Sequence, residues 1–538
     1  MKRSFVLAAI AVACLCVGCS SPALTDAPVL AADETPAHAM VAPRVFFTDV
    51  RTGSTKGGPG NLGVPIAIFG KGFGTTRGNS RVTIGGSEVG SYLVWGANNA
   101  HNKDLDMIVV QPGSIRSGGP IAVTVNGVSS NSDYTFTPGG GSIFFLSPNG
   151  SDTKPCSEAA PCATVMHAID VLKPGDTLLL RQGTYSEGEI WIRAPQAGSK
   201  DRPKVIKNYP GEEVLMVNAA RDFYVDADDI TVSGLNFRNG KSLVAVGWAS
   251  RDQRDNWFVN NSFAGTVGWA AIEITGHDHV LAGNMCDVSG SVVGTMGHCY
   301  YITQGSNFKV LYNVASGAPG YGIHVYEERR EEKDFQRVIR DVLIEGNILK
   351  SSKQRSGMII AISDAGKLGN RIENVTVRNN IFFSNNHAGL VIEGAADGIS
   401  VYNNTFYQNG LLGLYVETSE NVHGIDIRNN LFYQSKNSHC SIECGNMGQG
   451  HIQIGKDVRG VTVAGNSYHP GNPVILGGSD SSAITGEVHF VNESEQDFRL
   501  RGGSSVIDRG QALPTVLTDH DGKPRPQGTA YDVGAYEF

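Results

Sequence analysis

From Pro43 to Pro138 apolar and polar residues alternate in short runs separated by glycine-rich turns: Arg44 to Val50, Pro65 to Phe69, Arg81 to Ile84, Asp106 to Val110 and Ile121 to Val125. Strands of that length and period, punctuated by turn signals, predict a small β-sandwich. After Gly139-Gly140-Gly141 the alternation gives way to a repeat. An asparagine recurs in one local context, at Asn261, Asn284, Asn313, Asn347, Asn380, Asn404, Asn430 and Asn466, usually preceded by Gly or a second Asn. The intervals of 23, 29, 34, 33, 24, 26 and 36 residues fit one turn of a coil with loops of variable length. Each asparagine follows a β-branched run such as Val375 to Val377. It precedes an apolar run such as Ile381 to Phe383 and then a glycine-led run such as Gly389 to Glu393. Three short strands per coil, with an asparagine at a fixed turn, predict a solenoid in which every coil buries its inward residues on its neighbours.

These features also carry resemblances. Gly70-Lys71-Gly72-Phe73-Gly74, Val82-Thr83-Ile84-Gly85-Gly86 and the closing Ile121 to Gly127 resemble the immunoglobulin-like IPT/TIG module, for which a spacer or binding role is expected. The asparagine repeat resembles the pectate-lyase-like superfamily of right-handed parallel β-helices over residues 143–538. Phe145 to Asp152, Pro161 to Thr164 and Lys173 to Tyr185 look like its N-terminal cap and first coil, with a helix near Thr164 to Leu172 covering the open end. Asp497 to Leu500, Val506 to Gly510, Asp519 to Pro526 and Asp532 to Glu537 resemble the closing segment of exported bacterial β-helix proteins and are read as a structural cap. The expected fold is therefore all-β, a right-handed parallel β-helix preceded by a small immunoglobulin-like sandwich.

The N-terminus changes the picture of where the chain works. Lys2 and Arg3 precede an uncharged run from Ser4 to Val17, too short to cross a bilayer and arranged like an export signal. Its end, Cys16-Val17-Gly18-Cys19, resembles a bacterial lipobox, which implies lipidation of Cys19. The predicted organisation is a signal at 1–18, a tether at 19–42, the sandwich at 43–138 and the β-helix at 143–538. The expected protein is exported, at the cell surface or outer membrane through a lipid anchor, or secreted. An oxidising compartment suits disulfides, and Cys156 with Cys162 and Cys440 with Cys444 are spaced to close small loops. Cys286 and Cys299 form a further group; neither loop spacing is that of a zinc ribbon. A formal charge of -8 gives no global pull toward nucleic acid, and a monomer is expected.

Candidate chemistry falls on the glycine-led strand, since the resemblance places an active cleft on its outer face. Taking Ile272/Ile274, Tyr300/Ile302, Ile323/Val325, Ile360/Ile362, Leu390/Ile392, Leu414/Val416 and Ile452/Ile454 as inward leaves two outward rows. One is Glu273, Tyr301, His324, Ala361, Val391, Tyr415 and Gln453; the other is Thr275, Thr303, Tyr326, Ser363, Glu393, Glu417 and Gly455. Coils stack about 4.8 Å apart, so these rows gather His, Tyr and Glu on one face, with His298 at its edge. Val391, as an outward residue, is expected to tolerate a charge. The charged run Glu327 to Asp334 follows Tyr326, and its Arg329 and Arg330 are candidates for gripping sugar carboxylates.

The leading expectation is a polysaccharide lyase that cleaves a uronate-containing polymer by β-elimination. His324 would be the base, with a pKa near neutrality, and Tyr301 or Tyr326 the acid; His298 and Glu273 adjoin them. Tyr415, Glu393 and Glu417 would line the substrate. Two alternatives stand beside it: a glycoside hydrolase using Glu393 and Glu417 from adjacent coils, and a non-catalytic carbohydrate-binding adhesin whose outward tyrosines stack on sugars. Calcium is admitted as a cofactor without an assigned ligand set.

Overall fold

The computed structural model describes residues 42–538 apart from 97–98, 218–222, 250–251, 291–296, 328–337, 363–368 and 434–446. The signal, tether and Cys19 lie outside the described residues, as do Arg329, Arg330, Ser363, Cys440 and Cys444.

The sandwich forms as the alternation predicts. Arg44–Thr48, Ile66–Lys71, Asp106–Gln111 and Ser91–Val94 make one antiparallel sheet. The second is built on Thr135–Pro138, Gly119–Val125 and Arg81–Ile84. Their inward residues, among them Ile68, Val82, Ile108, Val123 and Phe136, are buried together.

From Ile143 onward one continuous parallel sheet winds through 31 strands, each pairing with the corresponding strand of the next coil. This is a right-handed parallel β-helix. Inside it the carboxamides form an unbroken ladder: Nδ2 of Asn261 donates to Oδ1 of Asn284 (3.1 Å), and the pattern passes through Asn313, Asn347, Asn380, Asn404 and Asn430 to Asn466. Asn466 ends it on the carboxylate of Asp480 (3.1 Å). Every ladder asparagine is buried and fully bonded, which is the condition under which a polar side chain inside a core is tolerated. The residue before each one turns the chain in the left-handed region, with φ of 52° at Asn260, 65° at Gly283 and 67° at Gly346, so Gly or Asn suits that place. The apolar second strand stacks Phe382, Phe406, Phe432 and Tyr468 with centroids 4.7, 4.8 and 5.6 Å apart. A Cβ on Gly413 would come within 2.4 Å of Phe432, so the glycine that opens the third strand makes room for the stack.

The helix Val165–Val171 covers the first coil as expected: Thr164 caps it, and Val165, Ala168 and Ile169 join the core. Cys156 and Cys162 are disulfide-bonded, and Cys286 pairs with Cys299 in a second bridge that the sequence spacing had not assigned. Among the described residues no helix is long and apolar enough to cross a membrane.

Two arrangements differ from expectation. The C-terminal segment does more than close the last coil. It runs back along the second-strand face, where Phe490, Phe498, Val533 and Tyr536 pack on Ile381, Phe383, Tyr407 and Leu431. Its acidic run is used for structure: Asp519 accepts the backbone N–H groups of Lys523 and Glu537. The sandwich is also more than a spacer on a glycine linker. It docks on the first-strand face, with Phe46 stacked on Tyr312 at 4.0 Å and the buried Lys207 ammonium donating to Asp49.

Candidate active site

With two faces of the coils covered in this way, the third-strand face holds the candidate chemistry. The strand register pairs Glu273 with Tyr301, Tyr301 with His324, His324 with Ile359, Ile359 with Val391, Val391 with Tyr415 and Tyr415 with Gln453. The in/out alternation is as predicted, and Ile272, Tyr300, Ile323, Leu390, Leu414 and Ile452 point into the core.

One coil is displaced by a full pleat. Met358 and Ile360 are the inward pair, so Ile359 stands beside His324 while Ala361 stands beside Tyr326. The reason is Gly357, which takes the place of Gly389 in the next coil: a Cβ there would come within 2.6 Å of Asn385 Nδ2 and 2.9 Å of Gly389 O.

A larger correction concerns exposure. Outward on the coil does not mean open to water. Ile359, Ala361, Val391, Leu411 and Tyr415 form an apolar cluster of their own, and Val391 is only 1% exposed. Glu273, Tyr301, His298 and His324 are buried as well.

At the centre lies a compact aromatic group. The His324 ring is 4.2 Å from His298, 4.4 Å from Tyr301, 4.7 Å from Tyr326 and 5.0 Å from Tyr321. The backbone N–H of Tyr321 donates to Nδ1 of His298 (3.0 Å), which leaves the proton of that neutral ring on Nε2. Nδ1 of His324 is buried and has no hydrogen-bond partner among the described residues. Burial pushes the His298 pKa down to about 3, helped by the Arg355 charge. His324 is held well below the ordinary 6.5 by burial, with His298 and Arg355 adding to the effect. The expectation of a base poised near neutrality is thereby corrected: burial disfavours the protonated form of both imidazoles.

Arg355 is the cation of this group. It lies in the turn between Ile348–Lys350 and Met358–Ile362, with its guanidinium 5.8 Å from the Tyr321 ring centroid. Further along the face, burial and the Glu417 charge push Glu393 up to about 7, against the pull of Arg355. Burial and the same two carboxylates push Tyr415 up to about 12. The structure thus brings together His298, His324, Tyr301 and Tyr326, puts Glu273 one coil before Tyr301, and sets Glu393 with Glu417 and Tyr415 beyond.

Arg355 and Tyr321 were not singled out from the sequence. Tyr321 had a signal, since Tyr321-Gly322-Ile323 repeats the position of His298-Cys299-Tyr300 one coil earlier. Arg355 had none, being one cation in a polar turn. Among the described residues one group has metal-ligand proximity, Cys156, Cys162 and His167, and its sulfurs are tied in a disulfide.

Comparison with known proteins agrees with this architecture. Family models match for the right-handed beta helix region (residues 301–487), chondroitinase B (160–285) and the IPT/TIG domain (52–138). A segment of 110 residues is 30% identical to the uncharacterized protein YwoF of Bacillus subtilis (strain 168), covering 19% of this chain and 23% of that protein. Another of 72 residues is 33% identical to pectate lyase PEL9 of Emericella nidulans, covering 13% and 17%. The similarity thus spans less than a quarter of either relative. Among solved structures, pectate lyase Pel9A is similar over 73% of this chain and 96% of its own, at 15% identity and a TM-score of 0.36.

Proposed function

We propose that this chain is an exported polysaccharide lyase that cleaves a uronate-containing polymer by β-elimination at the His298–His324–Arg355 cluster. The observation that carries the reading is a pair of buried imidazoles whose charged form is disfavoured, one with a ring nitrogen unpaired among the described residues, packed between tyrosines and next to a guanidinium. β-Elimination asks for these parts. Arg355 balances the uronate carboxylate, so that the C5 proton becomes acidic. His324 takes that proton, the electron pair forms the C4–C5 double bond, and the C4–O bond breaks. Tyr301 or Tyr326 then gives its proton to the leaving oxygen. A neutral imidazole is a ready acceptor, and an anionic sugar brought against it raises its proton affinity. Chondroitinase B likeness at 160–285 supports an acidic substrate, and the two disulfides suit an extracellular location.

The test is His324→Ala, incubated with uronate polymers while the absorbance of unsaturated products is followed. Loss of at least ~100-fold in rate, the scale of a positioned base, is expected; an unchanged rate refutes the assignment.

A second reading, glycoside hydrolysis, is favoured by one observation. Glu393, pushed up to about 7 by burial and by Glu417 in the adjacent coil, keeps its proton to far higher pH than an ordinary carboxyl. A carboxyl that holds its proton toward neutrality, beside a second carboxyl, suits the acid of an acid/nucleophile pair. In that case reducing ends form without unsaturation, and Glu393→Gln is inactive while His324→Ala is not.

A further inference from the structure

The outward row that passes through His324 continues upstream into a second group of aromatic side chains. Trp191 pairs in register with Tyr224, Tyr224 with Ala245, and Ala245 with Glu273, which precedes Tyr301 and His324. Trp191 and Tyr224 are half-buried with centroids 5.1 Å apart, and Trp248 lies 6.0 Å from Tyr224. Trp248 is 44% exposed, unusual for so large an apolar side chain in a fold that buries most of them. The group is held in place. Asp226 accepts the indole N–H of Trp191 (2.7 Å) on one oxygen and the backbone N–H of Ala249 (3.0 Å) on the other, which ties the Trp248 turn to the sheet. The Arg193 guanidinium lies 4.5 Å over the Trp191 ring.

Rigid aromatic faces that stay wet, aligned with a reactive cluster and bordered by a cation, match the chemistry of a pyranose ring carrying a carboxylate. Sugar rings present C–H faces to aromatic surfaces and hydroxyls to water. Four coil steps separate Tyr224 from His324, or ~19 Å along the axis at ~4.8 Å per step. Only an extended chain of several sugars reaches from one to the other.

We propose that Trp191, Tyr224 and Trp248 form a distal sugar-stacking subsite that holds the same acidic polysaccharide several residues from the bond cleaved at His324. Arg193 favours an anionic ring there. The proposal rests on the polysaccharide reading above, but not on the reaction type.

The test measures binding of polygalacturonate and chondroitin sulfate by calorimetry for the full chain, Trp191→Ala, Trp248→Ala, Trp248→Phe and His324→Ala. Binding to at least one polymer should weaken about tenfold in each tryptophan-to-alanine variant, as expected for loss of one aromatic contact. It should be largely restored in Trp248→Phe. Circular dichroism checks that each variant is folded, and Trp248, being exposed, is the safer site. Alanine variants that bind as the parent does, or a parent that binds neither polymer, overturn the subsite. If the tryptophans govern binding while no unsaturated product forms, the subsite stands and the elimination reading fails. If His324→Ala abolishes elimination while the tryptophan variants bind normally, the reverse holds.

Discussion

Three titratable side chains in the candidate site store stability with opposite pH dependence. His298 and His324 are held below 6.5, so the folded chain refuses protons that the unfolded chain accepts. Their neutral burial is fully tolerated above pH 6.5 and costs increasingly more as pH falls below it. Glu393 behaves inversely. Folded, it keeps its proton to about 7; unfolded, it ionises near 4.5. Its contribution is complete below 4.5 and is lost as pH rises to 7. Glu393→Gln should therefore be more stable than the parent at pH 8, by about 2–3 kcal/mol, and little different at pH 4, as read by denaturant melts. An equal change at both pH values contradicts the assignment. Activity follows the same logic. Elimination with neutral imidazoles should persist from pH 8 down through 6.5, whereas hydrolysis that needs a protonated Glu393 should decline above 7. Period-2 alternation was enough to bring His324, Tyr301, Glu393 and Glu417 to one face. It could not supply Arg355, which lies in an aperiodic turn, nor the burial that shifts His324 and Glu393.

At the scale of the strand and turn, the asparagine ladder and the outward row make separate demands. Nδ2 of Asn380 donates to Asn404 Oδ1 (3.0 Å) and Ile344 O (2.9 Å), while its own Oδ1 accepts from Asn347 (2.9 Å). Asn380→Ala should leave these partners buried and unsatisfied, at about 1–3 kcal/mol, visible in a thermal melt. Val391→Glu is expected to be at least as damaging, because Val391 packs between Ile359 and Tyr415 with 1% exposure and an unpaired carboxylate there has no partner. A melt in which Val391→Glu matches the parent would mean that the apolar cover of this face is absent. The ladder was legible because one residue type recurs at one turn. The cover was not, because Leu411, Tyr321 and the site row are brought together by turns whose lengths vary from coil to coil. The one-pleat displacement at Met358 has the same origin: the turn 351–357 gives no periodic signal, and only Gly357 marks where the strand begins.

For the whole molecule, sandwich, coils and C-terminal segment behave as one body rather than as modules on a string. Asp49, fully buried in the sandwich, accepts from Lys207 and Ser233 of the coils and from the N–H of Ala67. Asp49→Ala strands the Lys207 ammonium and should cost about 3–5 kcal/mol in a denaturant melt. A change below 1 kcal/mol would show the interface to be incidental. Fold class was readable from the switch between alternation and repeat at Gly139. The docking was not, since it depends on residues more than 150 positions apart. With the sandwich and the C-terminal segment on two faces, the His298–His324–Arg355 cluster lies on the third. The most direct measurement incubates the protein with a panel of uronate and neutral polysaccharides and records ultraviolet absorbance and new reducing ends in the same samples. One unsaturated end for each new reducing end, on a uronate polymer and abolished by His324→Ala, is the predicted result. Reducing ends without absorbance, or no cleavage of any polymer, would contradict it.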